Sequence, residues 1–226
     1  MVVLNETDAQ VAEEGGASRL ALATSMNEGG RTPDIGVIES VINTVGVPVR
    51  VMIRPSGGSF TYCDEEQMKI AQTVKEIAEL GGVDGIVVGA LTASGHVDRT
   101  FLEKVIPVTK GMKLTFNRAI DNTVDIHEAY DAICDYKEFV TDVLTSGGRP
   151  KAEDALLVLR EMMAQSWERK GPAIMPCSGI TGNNLAYIHR FLYAKYYQIG
   201  TAARVDRSFD QPLELEQVQQ LSALCE

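Results

Sequence analysis

Val49-Arg50-Val51-Met52-Ile53-Arg54-Pro55-Ser56-Gly57-Gly58 alternates aliphatic residues (Val49, Val51, Ile53) with long polar or soft ones (Arg50, Met52, Arg54). Two residues is the period of a strand with unlike faces. The strand then stops in Pro55 and Gly57-Gly58, a backbone able to take unusual dihedrals. Arg54 therefore stands at the end of a strand, on the face opposite its aliphatic side. It has two readings: an arginine facing an anion, or a long side chain snorkelling to water.

Working outward, the same strand-then-helix unit recurs. Strands are expected over 2–4, 19–24, 49–53, 85–91, 113–120, 139–145, 173–179 and 197–201. The glycines of the fourth imply a crowded barrel interior. Helices are expected over 7–14, 34–45, 64–80, 99–109, 125–137, 152–170 and 184–195. Their apolar residues keep helical spacing, as in Met68, Ile70, Ala71, Val74, Ile77 and Ala78. Asp34 is placed to cap the second helix, and Pro107 to break the fourth. Strand–helix alternation implies right-handed crossovers and a parallel sheet. Eight such units fit a closed TIM-type (β/α)8 barrel better than an open sheet. No linker or shift in composition divides the chain, so residues 1–226 read as a single domain. The tail, 203–226, is either the eighth helix, short or displaced, or an arm contacting a second copy.

Composition bounds the function. The chain has 226 residues, 45% of them hydrophobic and 23% charged, as ordinary globular domains do. A net charge of −10 argues against nucleic-acid or anionic-membrane partners, while leaving room for a local basic pocket. No apolar run approaches the ~20 residues needed to cross a bilayer. The start lacks a basic region followed by an apolar one, so no signal peptide is expected and a cytoplasmic location is. Cys63, Cys134, Cys177 and Cys225 are widely spaced, without a CxxC pair. They read as small buried hydrophobes rather than disulfides or a zinc site.

In a barrel the strand C-termini form the reactive mouth. Thr24, Arg54, Asn117, Arg118, Asp121, Thr145, Ser146, Ser178 and Thr201 fall at or just after those ends. Small residues in Ser146-Gly147-Gly148, Ser178-Gly179 and Gly200-Thr201 let backbone N–H groups approach an anion. The last two turns hold the usual barrel phosphate position. Asn117, Arg118 and Asp121 are the catalytic candidates; Asp121 either pairs with Arg118 structurally or orients it for a ligand. Met175 and Cys177 place two sulfurs on one strand face, which suits Cu(I) or simple packing, with packing the plainer account. His96, His127 and His189 have no partner at metal-ligand spacing. Lys113 opens its strand, away from the mouth.

Several motifs together resemble the CutC copper homeostasis family in order and spacing. They are Gly16-Ala17-Ser18-Arg19-Leu20, Glu28-Gly29-Gly30-Arg31-Thr32-Pro33, Val51-Met52-Ile53-Arg54-Pro55 and Asp84-Gly85-Ile86-Val87. Thr115-Phe116-Asn117-Arg118-Ala119-Ile120-Asp121, Leu144-Thr145-Ser146-Gly147 and Ile174-Met175 with Ser178-Gly179 continue the match, over about 9–202. The resemblance implies a TIM-like barrel, a cytoplasmic location, homo-oligomers and a role in copper tolerance. Departures fall at the mouth. Ala21 and Ala23 stand where the family has an acidic residue and a cysteine, and Asn117 where it has a histidine. Ser56 and Ser59 replace an arginine and an aspartate, and Ile199-Gly200 stands where a further histidine is expected.

Three functions are therefore carried forward. The first is a CutC-type copper-homeostasis protein that binds copper directly or acts indirectly. The second is a barrel enzyme or binder for a small phosphorylated or carboxylated metabolite, gripped by Arg54, Thr145, Ser146, Gly147, Ser178, Gly179 and Thr201. The third is a non-catalytic scaffold.

Overall fold

The computed structural model describes residues 1–224. Seven parallel strands, β1 (Val2–Val3), β2 (Leu20–Leu22), β3 (Val49–Met52), β4 (Gly85–Val88), β5 (Lys113–Phe116), β6 (Val140–Thr145) and β7 (Ala173–Pro176), follow one another in sequence order. They alternate with α1 (Glu6–Glu14), α2 (Ile35–Thr44), α3 (Asp64–Leu80), α4 (Arg99–Val105), α5 (Ile126–Cys134), α6 (Leu156–Arg169) and α7 (Leu185–Leu192). The TIM-type barrel expected from the alternation is present.

The eighth strand is a correction. Residues 197–201 form no ladder, yet they join the two edges of the sheet. Gln198 N–H donates to the Pro176 carbonyl at 3.0 Å, and Val2 N–H donates to the Ile199 carbonyl at 2.8 Å. The segment turns into a 3-10 helix at Thr201, too soon for more bonds to form. The tail supplies the displaced eighth helix, α8 (Leu215–Ala223), rather than an arm. Val218 of α8 packs over Gly15, where a Cβ would come within 2.4 Å of it. A buried ion pair between Arg204 and Asp8 ties this tail to α1.

Local expectations meet local physics. α3 spans the expected residues, with the Glu66 carboxylate accepting from Cys63 N–H at 2.9 Å. Pro107 ends α4 in a 3-10 turn. Asp34 occupies the N-cap position just before α2 but makes no side-chain cap, a second correction. Cys63 is exposed, against expectation, because it opens α3 at the surface, whereas Cys134 and Cys177 are buried; Cys225 lies outside the described residues. Among the described residues no helix is long and apolar enough to cross a membrane.

The main core lies between sheet and helices. Val49, Val51 and Ile53 point into it with Phe101, Phe116 and Tyr130. Each fully buried side chain of this kind contributes roughly 1.5–3 kcal/mol. The opposite face of β3 points into the barrel, where Arg50 is 3% exposed. Arg50 donates to Asp142, to Asp84 at 3.1 Å, to Thr141 at 2.9 Å and to Thr115. Asp142 is 1% exposed and also binds Arg19, while Asp84 also binds Lys113 at 2.9 Å. Gly85 makes room for this network: a Cβ there would meet the Lys113 carbonyl at 2.3 Å and Arg50 Nε at 3.3 Å. Asp142 faces inward because the β5–β6 register shifts between Leu114 and Thr115, so Leu114 pairs with Val140 but Thr115 with Asp142. The extra residue, Thr141, is a bulge that re-aims the side chains after it.

Two outcomes are expected. Asp142→Ala removes the carboxylate shared by Arg19 and Arg50, leaving Arg50 only Asp84, and should cost about 3–5 kcal/mol, read by urea denaturation. A loss under about 1 kcal/mol would mean that the network does not hold the barrel. Burial raises the Asp84 carboxyl pKa, but hydrogen bonds from Lys113 and Arg50 outweigh this and leave it below its ordinary value. A carboxyl held low stabilises the fold above its unfolded pKa of ~3.9 and loses that contribution as pH falls through the lower, folded value. Stability should therefore fall more steeply below pH ~4 in the wild-type chain than in Asp84→Asn.

Candidate functional site

The βα loops surround a cavity of about 320 Å3 at the C-terminal ends of the strands. Met52 and Arg54 reach it from β3 and the residues just after it, Asn117 and Arg118 from beyond β5, and Cys177 and Ser178 from beyond β7. The structure thus brings together residues that lie far apart in the chain. Among the described residues neither aspartate nor glutamate lines this cavity, although the chain carries a net charge of −10. Two arginines do.

Their situations differ. Arg54 is buried, donating to the Glu28 carbonyl at 2.9 Å and the Gly58 carbonyl at 2.6 Å, and its guanidinium lies 4.6 Å from the centre of the Phe60 ring. It fastens two loops at the rim, and its Nε is buried without a hydrogen-bond partner among the described residues. Arg118 is freer, with its side chain 40% exposed. It donates to Asp121 at 2.8 Å and to the Ser146 hydroxyl at 2.7 Å.

Asp121 settles into the first of the three serine–glycine turns. Its carboxylate accepts from the N–H groups of Ser146 (3.1 Å) and Gly148 (3.0 Å) and from the hydroxyls of Thr145 and Ser146 (3.0 Å). Gly147 N–H donates to Thr145 Oγ1 at 2.9 Å. Gly147 has φ +70 and packs where a Cβ would lie 2.7 Å from Ala155, so no other residue suits this turn. The donors read in Thr145 and Ser146 for an external anion are thus spent on the protein's own carboxylate, and that of Gly147 on the Thr145 hydroxyl. The Asn117 Oδ1 is taken too, accepting from Ala119 N–H at 2.9 Å.

The other two turns differ. The Ser178 hydroxyl donates to the Pro150 carbonyl at 2.7 Å, but the backbone N–H groups of Ser178, Gly179, Gly200 and Thr201 have no partner among the described residues. All four residues line the cavity, and the Phe209 ring lies over Gly200. Phe209, Phe60 and Met26 are lining residues that the sequence did not identify. Phe209 arrives on the tail, which carries no signal for it.

The two candidate sulfurs part. Met175 faces the other end of the barrel, 3.2 Å from Arg19 Nη2, while Cys177 lines the mouth. Burial pushes the Cys177 thiol above its ordinary value, with the Arg118 charge opposing it only in part. Met26 and Met52 line the same cavity and pack together beside Ala23. Among the described residues no group of three or more His, Cys, Asp or Glu side chains is placed to hold a metal ion. The histidines find other neighbours: His96 beside Glu128, His127 beside Gln165 and His189 beside Tyr197.

Comparison with known proteins places this geometry in a family. The CutC family model matches residues 1–196. The human copper homeostasis protein cutC homolog is 37% identical over 177 residues, covering 78% of this chain and 63% of that protein. The chain thus spans under two thirds of the human relative's length. A CutC family protein of Pectobacterium atrosepticum is 33% identical over 192 residues, covering 85% of this chain and 73% of that one. The CutC structure from Streptococcus agalactiae superposes with a TM-score of 0.80 at 28% identity, covering 87% of this chain and 95% of that one. Phosphoribosylanthranilate isomerase from Pyrococcus furiosus, with a TM-score of 0.63 and 10% identity over 99% of this chain and 96% of its own, shares the fold alone. With the motifs, the barrel and these matches in agreement, the chain belongs to the CutC family.

Proposed function

We propose that this chain serves copper homeostasis through its mouth cavity, which binds a small phosphorylated or carboxylated molecule. One observation carries the anion reading. In a strongly acidic chain, this cavity is lined by Arg118, Arg54 and four residues whose N–H groups are unspent, and by no carboxylate, among the described residues. The N–H groups follow β7 and the 197–200 segment, where (β/α)8 barrels commonly hold phosphate. Unspent N–H groups in two turns of one cavity wall suit an anion, and a low-dielectric wall strengthens the attraction. Arg118 supplies a charged donor at the rim. Arg54 acts by holding the loops of Glu28 and Gly58 in place.

A second reading, direct binding of Cu(I), rests on Met26, Met52 and Cys177 lining one cavity. Soft thioether and thiolate ligands suit that ion. The raised thiol pKa of Cys177 works against it, because the thiol must lose its proton to ligate.

Ribose 5-phosphate tests the anion reading. At ~100 times its Kd, a ligand specific to the native state raises apparent stability by about 2.7 kcal/mol. That gain should largely vanish in Arg118→Gln, whose exposed side chain makes misfolding a minor concern. Equal stabilisation of both chains, or none of the wild type, would remove the anion site. Equilibrium dialysis against Cu(I) tests the second reading. Retention that drops in a Cys177→Ser, Met52→Leu double variant supports it, and equal retention in both chains ends it.

A further inference from the structure

The barrel holds a second cavity, of about 290 Å3, at the end opposite the mouth. The loop of residues 16–19 before β2, the segment 195–198 after α7, and Leu221 and Ser222 of α8 surround it. Leu144 and Gln198 line both cavities, so a thin layer of side chains separates them. This end of a (β/α)8 barrel ordinarily serves stability. Here it carries unspent polar groups.

Charge comes first. Arg19, Arg50 and Lys195 line the cavity, and among the described residues no aspartate or glutamate does. Asp142, behind the wall, is shared between the two arginines, and Asp84 between Arg50 and Lys113. Cations therefore outnumber carboxylates around this space. Arg19 is also only partly used. Its Nη2 donates to Asp142 and sits 3.2 Å from Met175 Sδ, while Nε and Nη1 have no hydrogen-bond partner among the described residues. The Arg19 guanidinium lies 4.6 Å from the centre of the Tyr196 ring, and Lys195 Nζ lies 5.1 Å from the same ring. Two cations thus flank one aromatic ring beside an opening.

The rest of the lining is apolar or aromatic, with Tyr197, Met175, Leu221 and Ile199 among it. Gln198 adds a buried side-chain oxygen that has no hydrogen-bond partner among the described residues. Ala21, the register partner of Arg50, lines the cavity with only a methyl group, which leaves the space beneath the arginine open.

We propose that this lower cavity is a ligand site distinct from the mouth, taking a small aromatic carboxylate. Arg19 and Lys195 hold the carboxylate by charge-assisted hydrogen bonds, and Tyr196, Tyr197 and Met175 enclose the ring. A ring hydroxyl would find an acceptor in Gln198 Oε1. A bare phosphate would leave the apolar wall uncovered, whereas an aromatic acid uses both halves of the site.

Titration of the full chain with 4-hydroxybenzoate, followed by calorimetry and by NMR contacts to the Tyr196 ring, tests this. Saturable binding is expected in the wild-type chain and in Arg118→Gln, whose change lies at the mouth. Lys195→Gln, on an exposed side chain, should weaken binding about threefold. Ala21→Leu should abolish it by filling the space, and the Lys195 variant carries the test should Ala21→Leu fail to fold. No saturable binding up to ~10 mM would overturn the proposal. Unchanged affinity in Lys195→Gln would also overturn it, as would loss of binding in Arg118→Gln, which would place the ligand in the mouth.

Discussion

Asp142, held between Arg19 and Arg50 inside the barrel, is the interaction on which the rest depends. Removing two guanidinium groups from water is costly, and a shared carboxylate with further hydroxyl partners offsets that cost only if the geometry holds. Thr115, Thr141 and Asp84 complete the set for Arg50. The network links β3, β5 and β6 with the residues preceding β2 and β4. It therefore acts as a cross-brace in a barrel whose last stave is joined by single hydrogen bonds to β7 and β1.

A braced, polar lower barrel has a consequence for space. An aliphatic interior would fill the tube with interlocking layers, as in a packed TIM barrel. Here side chains such as Leu144, Met175, Cys177, Met52, Val87 and Ala23 form small clusters near the middle, and cavities open at both ends. The upper one gathers backbone donors and Arg118. The lower one gathers cations and aromatic rings. Separate chemistries at the two ends follow from a thin apolar partition.

The mouth also shows how a protein can satisfy its own motif. The Ser146–Gly148 turn has the composition of an anion site, and an anion sits in it: the carboxylate of Asp121. The turns at Ser178 and Gly200 have similar composition and keep their N–H groups unspent. Composition cannot separate these cases, because the carboxylate comes from another βα loop. Arg54 makes the same point. Its place at the end of β3, facing the mouth, follows from period and turn, but its partners are carbonyls of two loops that only folding brings near it.

By itself the sequence determined the order and kind of nearly every element, because helical and two-residue periods are local and survive in one dimension. It also determined the inward face of β3, the family resemblance and the set of residues at the strand ends. Tertiary structure decided what local patterns cannot encode. The eighth stave is an extended link without a ladder, because its length is set by the turn at Thr201. Asp142 faces inward although Val140, two residues earlier, faces outward, since a bulge at Thr141 resets the alternation. Whether a donor is spent or free depends on which distant groups reach it, and that is a property of the closed ring.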